Sequence, residues 1–402
     1  MPTRYPEPTV SEILANYDVS LKRGFLPDPD PLCRLPAQWA AWDELARAIP
    51  ELLQNGMLRN EVDRMPLIED IPETISELRL AAVDLGFLAN AYVHASWETE
   101  PSHHMPAALA IPGHRIIRAL GFPHPFVLNY AMYVLWNWQR LDPQFPIDLE
   151  NLTPVRNFLG GKGERWFICV HVVIEMYAAD AIHYLYIARD AGRQEYWERA
   201  AEYLALVAAS LENLFATLTR MREHTEAHEF FTVVRPWIHG YTQVKYEGVR
   251  EYGDEPQDAV GESGSQSSVI PSVDAELGIS HPPSEFTIYL DRMEEYMPPR
   301  HCALIRSLRE GPSLLALAEQ SRHTPFIRAV ERCIGSVEDF RAHHCGLTRT
   351  HIRDQTPTSP HNSNIVGTAK TPALSYLEAH LRDTIAARAR AANLVQEFQK
   401  IV

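Results

Sequence analysis

Residues 166–188, WFICVHVVIEMYAADAIHYLYIA, form the most hydrophobic run in the chain and decide its fold. The run is long enough to cross a bilayer as a helix. However, it contains four ionisable residues, which are costly inside lipid, and we predict no second span elsewhere in the chain. These residues are His171, Glu175, Asp180 and His183. The run therefore predicts a central helix that is buried on most of its faces within a protein core, with no part in a membrane.

Apolar residues also recur at helical spacing along most of the remaining chain. The predicted helices cover residues 77–97, 125–140, 194–221, 227–240, 283–296, 299–320, 324–352 and 371–400. Alternation typical of strands is nowhere sustained. Residues 247–268 and 353–370 have the composition of loops, and loops of this length are usually functional lids or disordered.

These patterns predict a mainly α fold. Residues 1–75 are rich in proline and broken into short pieces. We therefore predict a smaller, irregular, mostly helical N-terminal domain over 1–152 and a large all-helical domain over 153–402. A chain of 402 residues is long enough to bury a sizeable interior and to enclose a ligand.

The charge and cysteine content exclude several classes of protein. There are 37 Lys and Arg against 52 Asp and Glu, a formal net charge of −15, which argues against binding to nucleic acid or anionic membranes. The five cysteines are scattered singly, without the CxxC pattern of zinc ribbons or redox motifs. The N-terminus shows neither a basic nor an apolar signal region, so that we expect a cytoplasmic protein.

Common catalytic and metal-binding motifs are absent from the sequence. It contains no HExxH, GxSxG, Walker loop or GxGxxG pattern. The Glu-x-x-His spacing of di-iron bundles occurs at Glu100 and His103, within a proline loop. His224 and His228 are four residues apart, but the carboxylate between them lies on another face of the helix. Any chemistry would therefore depend on an enclosed cofactor.

Histidines on apolar helices remain as candidate ligands. His171 lies in the central hydrophobic run, and His344 lies on the helix predicted at 324–352, where Asp339 and Arg341 could orient it. A b-type heme needs one axial histidine and an apolar cavity, and it leaves almost no spacing signature. By their spacing alone, both histidines fit equally a hydrogen-bonded position in the core.

Eight segments occur in the order and with the spacing of a known family. These segments are VLNYAMYVLWNWQRLDP, WFICVHVVIEMYAADAI, EFFTVVRPWIHGY, VKYEGV, GESGSQSSVIPSVDAELGI, DRMEEYMPPRHCALIRSL, FRAHHCGLTRTHI and GTAKT. From about residue 75 to residue 385, the sequence resembles the indoleamine 2,3-dioxygenases, heme enzymes that open the indole ring of tryptophan. The resemblance makes 153–402 a heme-binding catalytic domain.

The resemblance implies the positions of the site residues. It puts the proximal ligand of the heme iron at His344, and it puts the neighbouring His343 on a different face of the helix. The distal polar position, a serine in the vertebrate enzymes, falls on His171. Catalytic roles are implied for His171, Phe167 and Ser263. Contacts with the substrate are implied for Tyr130, Phe167, Phe230, Arg235, Gly264 and Thr368.

The same resemblance implies the chemistry. The aromatic residues would hold an indole ring, and Arg235 would bind the carboxylate of an amino acid in bidentate fashion. The implied cofactor is heme b with Fe²⁺ in the active form, and O2 is the co-substrate. The implied product from L-tryptophan is N-formyl-L-kynurenine, in the kynurenine pathway. An electron donor would reduce the heme, and the oligomeric state stays open.

Three positions depart from the family pattern. Glu262 replaces a glycine of the loop beside the heme edge, and Ala369 and Lys370 replace the two glycines of a mobile GTGGT segment. These changes motivate one alternative, a related heme enzyme that acts on another indole or tryptophan derivative. A second alternative is a non-catalytic heme or indole sensor that keeps the fold. Taken alone, the matched aromatic residues could also be core residues, and Arg235 could pair with a structural carboxylate.

Overall fold

The computed structural model describes residues 5–95, 101–356, 368 and 373–399, and within them α-helices dominate. The helices are α1 (Val10–Ala15), α2 (Ala40–Arg47), α3 (Ile49–Gln54), α4 (Leu58–Asp63), α5 (Ile75–His94), α6 (Ala107–Ala119), α7 (Lys162–Arg193), α8 (Trp197–Thr219), α9 (Ala227–Glu229), α10 (Val269–Leu277), α11 (Glu285–Glu294), α12 (Pro299–Leu308), α13 (Leu314–Ser321), α14 (Thr324–Thr348) and α15 (Ala373–Gln399). The predicted mainly α fold class is confirmed.

The described strands are short. They are β1 (His104–Met105), β2 (Gln139–Arg140), β3 (Leu152–Thr153), β4 (Tyr241–Tyr246) and β5 (Gln257–Ala259). β4 pairs in parallel with β1 and antiparallel with β5, and β2 pairs antiparallel with β3. The segment 247–268, predicted as a loop, thus contains the short strand β5 and a 3-10 turn, Gly264–Gln266.

Helix α7 is the centre of the fold. It packs against α8 and α10, α8 packs against α14, and α14 packs against α15. Of the most apolar 18-residue window in α7, 67% is buried within the protein. The prediction of a buried core helix is confirmed. The expectation of no second candidate span was wrong, because Trp197–Glu223 is also long and apolar enough to cross a membrane, with 50% of its most apolar window buried.

Two predicted helices differ from the structure. The segment 125–140 contains a single π-helical turn, Ala131–Leu135, and is already in strand β2 at Gln139. The side-chain oxygen of Asn129 accepts a hydrogen bond from the N–H of Met132 at the start of this turn. Its apolar residues recur at helical spacing because residues 126–138 are buried on all sides, not because one face packs on a core.

The second difference lies in the segment 299–320, which forms two helices, α12 and α13. The break falls at Gly311, which has φ +77°, a backbone conformation that side chains rarely adopt, and at the proline that follows it. The segment 227–240 is helical as predicted but irregular. It passes from α9 through a π-helical turn, Phe230–Val234, to a 3-10 turn, Arg235–Ile238.

A buried ion-pair cluster links the two predicted domains. Arg156 lies 2.7 Å from a carboxylate oxygen of Asp43 and 2.6 Å from one of Asp84. The ring of Phe87 also lies 4.7 Å from the ring of Phe158. The division at residue 152 remains a prediction, and the core is continuous across it.

We expect replacement of Arg156 to cost much of the stability of the fold. Burial raises the pKa of Asp84 to about 7 even though Arg156 lowers it. Loss of the guanidinium would leave the carboxyls of Asp43 and Asp84 without their buried partner. Breaking a buried pair costs about 3–5 kcal/mol. Arg156→Met should therefore lower the free energy of unfolding by about this amount in urea titrations followed by circular dichroism.

Arg34 provides the matched control, because it pairs with Asp43 at 3.3 Å but its side chain is 67% exposed. Arg34→Met should cost less than about 1 kcal/mol. Equal losses in the two variants would contradict a structural role for the buried cluster.

Candidate functional site

The predicted site residues all line one cavity, which has a volume of about 770 Å³. This volume lies in the upper part of the usual range for sites that bind small molecules and cofactors. The predicted residues that line it are Tyr130, Phe167, His171, Phe230, Arg235, Ser263, Gly264, His344 and Thr368. Their individual roles stay predictions.

Helix α7 contributes Phe167 and His171, which are four residues apart and therefore share one face. The Nδ1 of His171 lies 2.8 Å from the carbonyl oxygen of Phe167. Because a carbonyl can only accept a hydrogen bond, Nδ1 carries the proton, and in the neutral ring Nε2 keeps its lone pair. Burial lowers the pKa of His171, which favours this neutral form near pH 7.

Aromatic rings form an apolar wall of the cavity. The ring centroids of Phe167 and Phe230 are 4.9 Å apart, and those of Tyr130 and His171 are 6.0 Å apart, edge to face. Phe230 opens one π-helical turn, and Tyr130 directly precedes another. Such π turns are rare and frequently lie at functional sites. The local backbone thus brings the two rings to the cavity in a way that a regular helix would not.

Tyr130 is held by contacts that the sequence analysis missed. Its hydroxyl donates to Glu175 at 2.9 Å, and its backbone N–H donates to the side-chain oxygen of Gln266 at 2.9 Å. Ser267 donates to the same oxygen of Glu175 at 2.6 Å. Burial raises the pKa of Glu175 to about 7 although both hydroxyls lower it. Glu175 was noted only as an ionisable residue of the hydrophobic run, because no local pattern pairs it with a tyrosine 45 positions away.

Arg235 provides a positive charge to the cavity. It is fully buried, and its guanidinium lies 5.3 Å from the ring centroid of Phe231. Burial lowers the pKa of Arg235 to about 10, so that the group remains charged at pH 7. The geometry of a guanidinium matches that of a carboxylate through two parallel hydrogen bonds.

The loop that carries Ser263 and Gly264 is tightly anchored. A Cβ atom at Gly240 would lie 2.2 Å from the carbonyl oxygen of Ala259, and one at Gly261 would lie 2.3 Å from the backbone nitrogen of Gly240. Only glycine therefore allows the two backbones to approach so closely. The hydroxyl of Ser263 accepts a hydrogen bond from the N–H of Ser265 at 3.3 Å, which caps a 3-10 turn.

Thr368 contacts this loop, because its hydroxyl donates a hydrogen bond to the carbonyl oxygen of Glu262. The predicted lid at 353–370 can be followed at 353–356 and at Thr368. Ala369 and Lys370 lie outside the described residues.

His344 and its neighbour His343 occupy different faces of α14, as expected. His344 lines the cavity, whereas the ring of His343 lies 5.6 Å from Phe215 of α8. Burial lowers the pKa of His344 to about 4, with smaller contributions from the nearby His171, His343 and Arg341. The ring is therefore neutral near pH 7, as a ligand of heme iron must be. Among the described residues, no group hydrogen-bonds to either of its ring nitrogens.

The expectation that Asp339 and Arg341 orient His344 was wrong. Asp339 is exposed, and the guanidinium of Arg341 lies 2.5 Å from Asp274 and also donates to the hydroxyl of Thr384. These contacts join α14 to α10 and α15. Arg341 therefore supports the helix that carries His344 but does not contact its ring.

These features fit a b-type heme. The cavity has an aromatic wall, and a neutral histidine faces into it with ring nitrogens that no described group engages. Such a histidine is a suitable axial ligand, and an apolar enclosure is the other requirement of the cofactor. Residues 13–387 match the family model described as indoleamine 2,3-dioxygenase. The chain belongs to this family.

Individual members of the indoleamine 2,3-dioxygenase family align over most of the chain. Indoleamine 2,3-dioxygenase 2 of Mus musculus is 32% identical over 93% of this chain and 95% of that protein. Indoleamine 2,3-dioxygenase of Saccharomyces cerevisiae is 30% identical over 92% of this chain and 85% of that protein. A 6-hydroxytryptophan 2,3-dioxygenase of Fusarium equiseti is 28% identical over 84% of this chain and 85% of that protein.

The family is heme-dependent and uses O2. The chain is therefore a heme-dependent dioxygenase, and the predicted family and class of enzyme are both confirmed.

Proposed function

We propose that this dioxygenase inserts O2 across the C2–C3 bond of the indole ring of L-tryptophan and yields N-formyl-L-kynurenine. The observation that carries the proposal is that an aromatic wall, a buried arginine and a half-buried neutral histidine line one cavity. Each matches one part of the reaction, namely the indole ring, the amino-acid carboxylate and the heme iron. The names of the mouse and yeast relatives support the same chemistry.

The chain binds and orients the substrate. Phe167, Phe230 and Tyr130 would bury the two faces of the indole ring, for which stacking and burial of apolar area provide the free energy. Arg235 would bind the carboxylate through two charge-assisted hydrogen bonds and thereby fix the direction of the side chain. Orientation of this kind can contribute several kcal/mol to a rate, about 7–11 kcal/mol in the most favourable cases.

His171 would position the indole N–H. Because its Nδ1–H donates to the carbonyl of Phe167, the neutral ring presents Nε2 as an acceptor. An acceptor suits the N–H of indole, which can only donate. This role differs from that of a serine, whose hydroxyl can both donate and accept.

His344 would be the protein ligand of the iron. Heme b in its ferrous form would supply the redox chemistry that activates O2. The buried walls of the cavity exclude water from the reacting atoms, and an electron donor is needed to keep the iron reduced.

The experiment is a product assay with the purified holoenzyme. The heme is reduced anaerobically, L-tryptophan is added, and air is then admitted. We expect N-formyl-L-kynurenine in stoichiometric relation to the tryptophan consumed. Heme that binds O2 reversibly, without consumption of tryptophan, would overturn the proposal and favour a sensor.

A further inference from the structure

The carboxyl of Glu262 has an unusual position in the cavity. The residue is only 2% exposed, yet it is among those that line the cavity. Within the described part of the chain, no side chain or backbone group hydrogen-bonds to this carboxyl or pairs with it, Arg235 included. The carboxyl is therefore available to a hydrogen-bonding group of a bound substrate.

The backbone prevents Glu262 from turning away from the cavity. Its N–H donates to the carbonyl oxygen of Ile238 at 3.1 Å, and its own carbonyl accepts from Thr368. The close contact between Gly240 and Gly261 fixes the residue before it. Burial raises the pKa of Glu262 to about 8, so that at pH 7 the side chain is mainly a neutral acid with one donor and acceptor capacity left.

The loop that carries Glu262 lies beside Tyr130. The side-chain N–H of Gln266 donates to the carbonyl oxygen of Gly261 at 2.8 Å, and the side-chain oxygen of Gln266 accepts from the backbone N–H of Tyr130 at 2.9 Å. Tyr130 and Glu262 both line the cavity. Glu262 thus lies on the side of the cavity that carries Tyr130, which the ring of the substrate would face.

The ammonium and carboxylate groups of an amino-acid substrate would lie in another part of the cavity. Its ammonium group is attached to the same carbon as its carboxylate, so that both would bind beside Arg235. The indole ring extends away from that carbon. We propose that Glu262 determines specificity by hydrogen-bonding a hydroxyl or amino substituent on the benzene ring of an indole amino acid. The inference rests on the proposed function and names a preferred class of substrate for the same site.

The experiment compares ring-hydroxylated with ring-methylated substrates. We would measure kcat/KM for 5- and 6-hydroxy-L-tryptophan, for the corresponding methyl analogues and for L-tryptophan, with the holoenzyme and with Glu262→Gly. A methyl group has a similar size but makes no hydrogen bond. For at least one ring position, the ratio of the hydroxyl to the methyl substrate should fall about tenfold or more in Glu262→Gly, which corresponds to about 1.4 kcal/mol.

Two further variants sharpen the comparison. Glu262→Gln keeps an acceptor and a donor of similar reach and should retain most of the preference. Glu276→Gln changes a buried carboxyl that pairs with Arg189 at 2.9 Å and lies outside the lining of the cavity, so that it should leave the ratio unchanged. Heme content and circular dichroism verify that each variant is folded.

The outcomes separate this inference from the proposed function. Equal losses for all substrates in Glu262→Gly would mean that the residue acts on a group common to them, such as the ammonium, and would overturn the inference while turnover persists. If the wild type turns over no indole amino acid, the proposed function fails. In that case, equilibrium titrations of the heme absorption band would give the dissociation constants of the same hydroxyl and methyl compounds. The absence of a preference for the hydroxyl compounds would then overturn the inference as well.

Discussion

His344→Ala should remove the heme absorption band from the purified protein, whereas His343→Ala should retain it. The two histidines are adjacent in sequence, but only His344 lines the cavity, and the ring of His343 packs near Phe215. Without its axial ligand, a heme would be held in this cavity mainly by apolar contacts. The measurement is the ratio of heme to protein absorbance after purification in the presence of excess heme.

His343→Ala is a stringent control because it removes the same side chain one position away. Both variants should keep the far-ultraviolet circular dichroism of the wild type, which verifies that α14 is intact. Added imidazole should restore part of the heme band in His344→Ala, since it can occupy the space of the missing ring. Equal heme retention in the two variants would show that the assignment of the ligand is wrong.

The hydrophobic pattern predicted the elements that bury apolar surface over long stretches. Helix α7 follows from the run at 166–188, and α14 follows from the periodicity at 324–352, which a π turn extends beyond Thr348. The segment at 125–140 was predicted wrongly for a physical reason. When a segment is buried on all sides, its apolar residues fulfil a helical spacing without forming a helix.

The site was predictable only in part. Spacing alone left His171 and His344 as either core residues or ligands, and the ordered resemblance to the family decided which positions to name. Contacts distant in sequence carry no such signal, which is why the support of Tyr130 by Glu175 was missed. Arg341 was misassigned because proximity along a helix does not tell which way a guanidinium points, and here it points to Asp274.

Arg235→Ala should lower kcat/KM for L-tryptophan about 100-fold, mainly through a higher KM. Hydrogen bonds to charged groups contribute about 1.5–3 kcal/mol, and the guanidinium would make two of them to the carboxylate. Arg235→Lys keeps the charge but loses the planar pair of donors, so that it should recover only part of the loss. Steady-state kinetics of the holoenzyme, with heme content measured for each variant, provide the comparison.

A ligand without a carboxylate separates binding from structural damage. Tryptamine has the indole ring and the ammonium group but nothing for Arg235 to grip, so that its dissociation constant should change less than about threefold between the wild type and Arg235→Ala, which is within about 0.7 kcal/mol. Arg235 is fully buried, and its removal could instead disturb the cavity as a whole. In that case tryptamine and L-tryptophan would weaken equally, and the arginine would be assigned to the support of the aromatic wall rather than to the substrate.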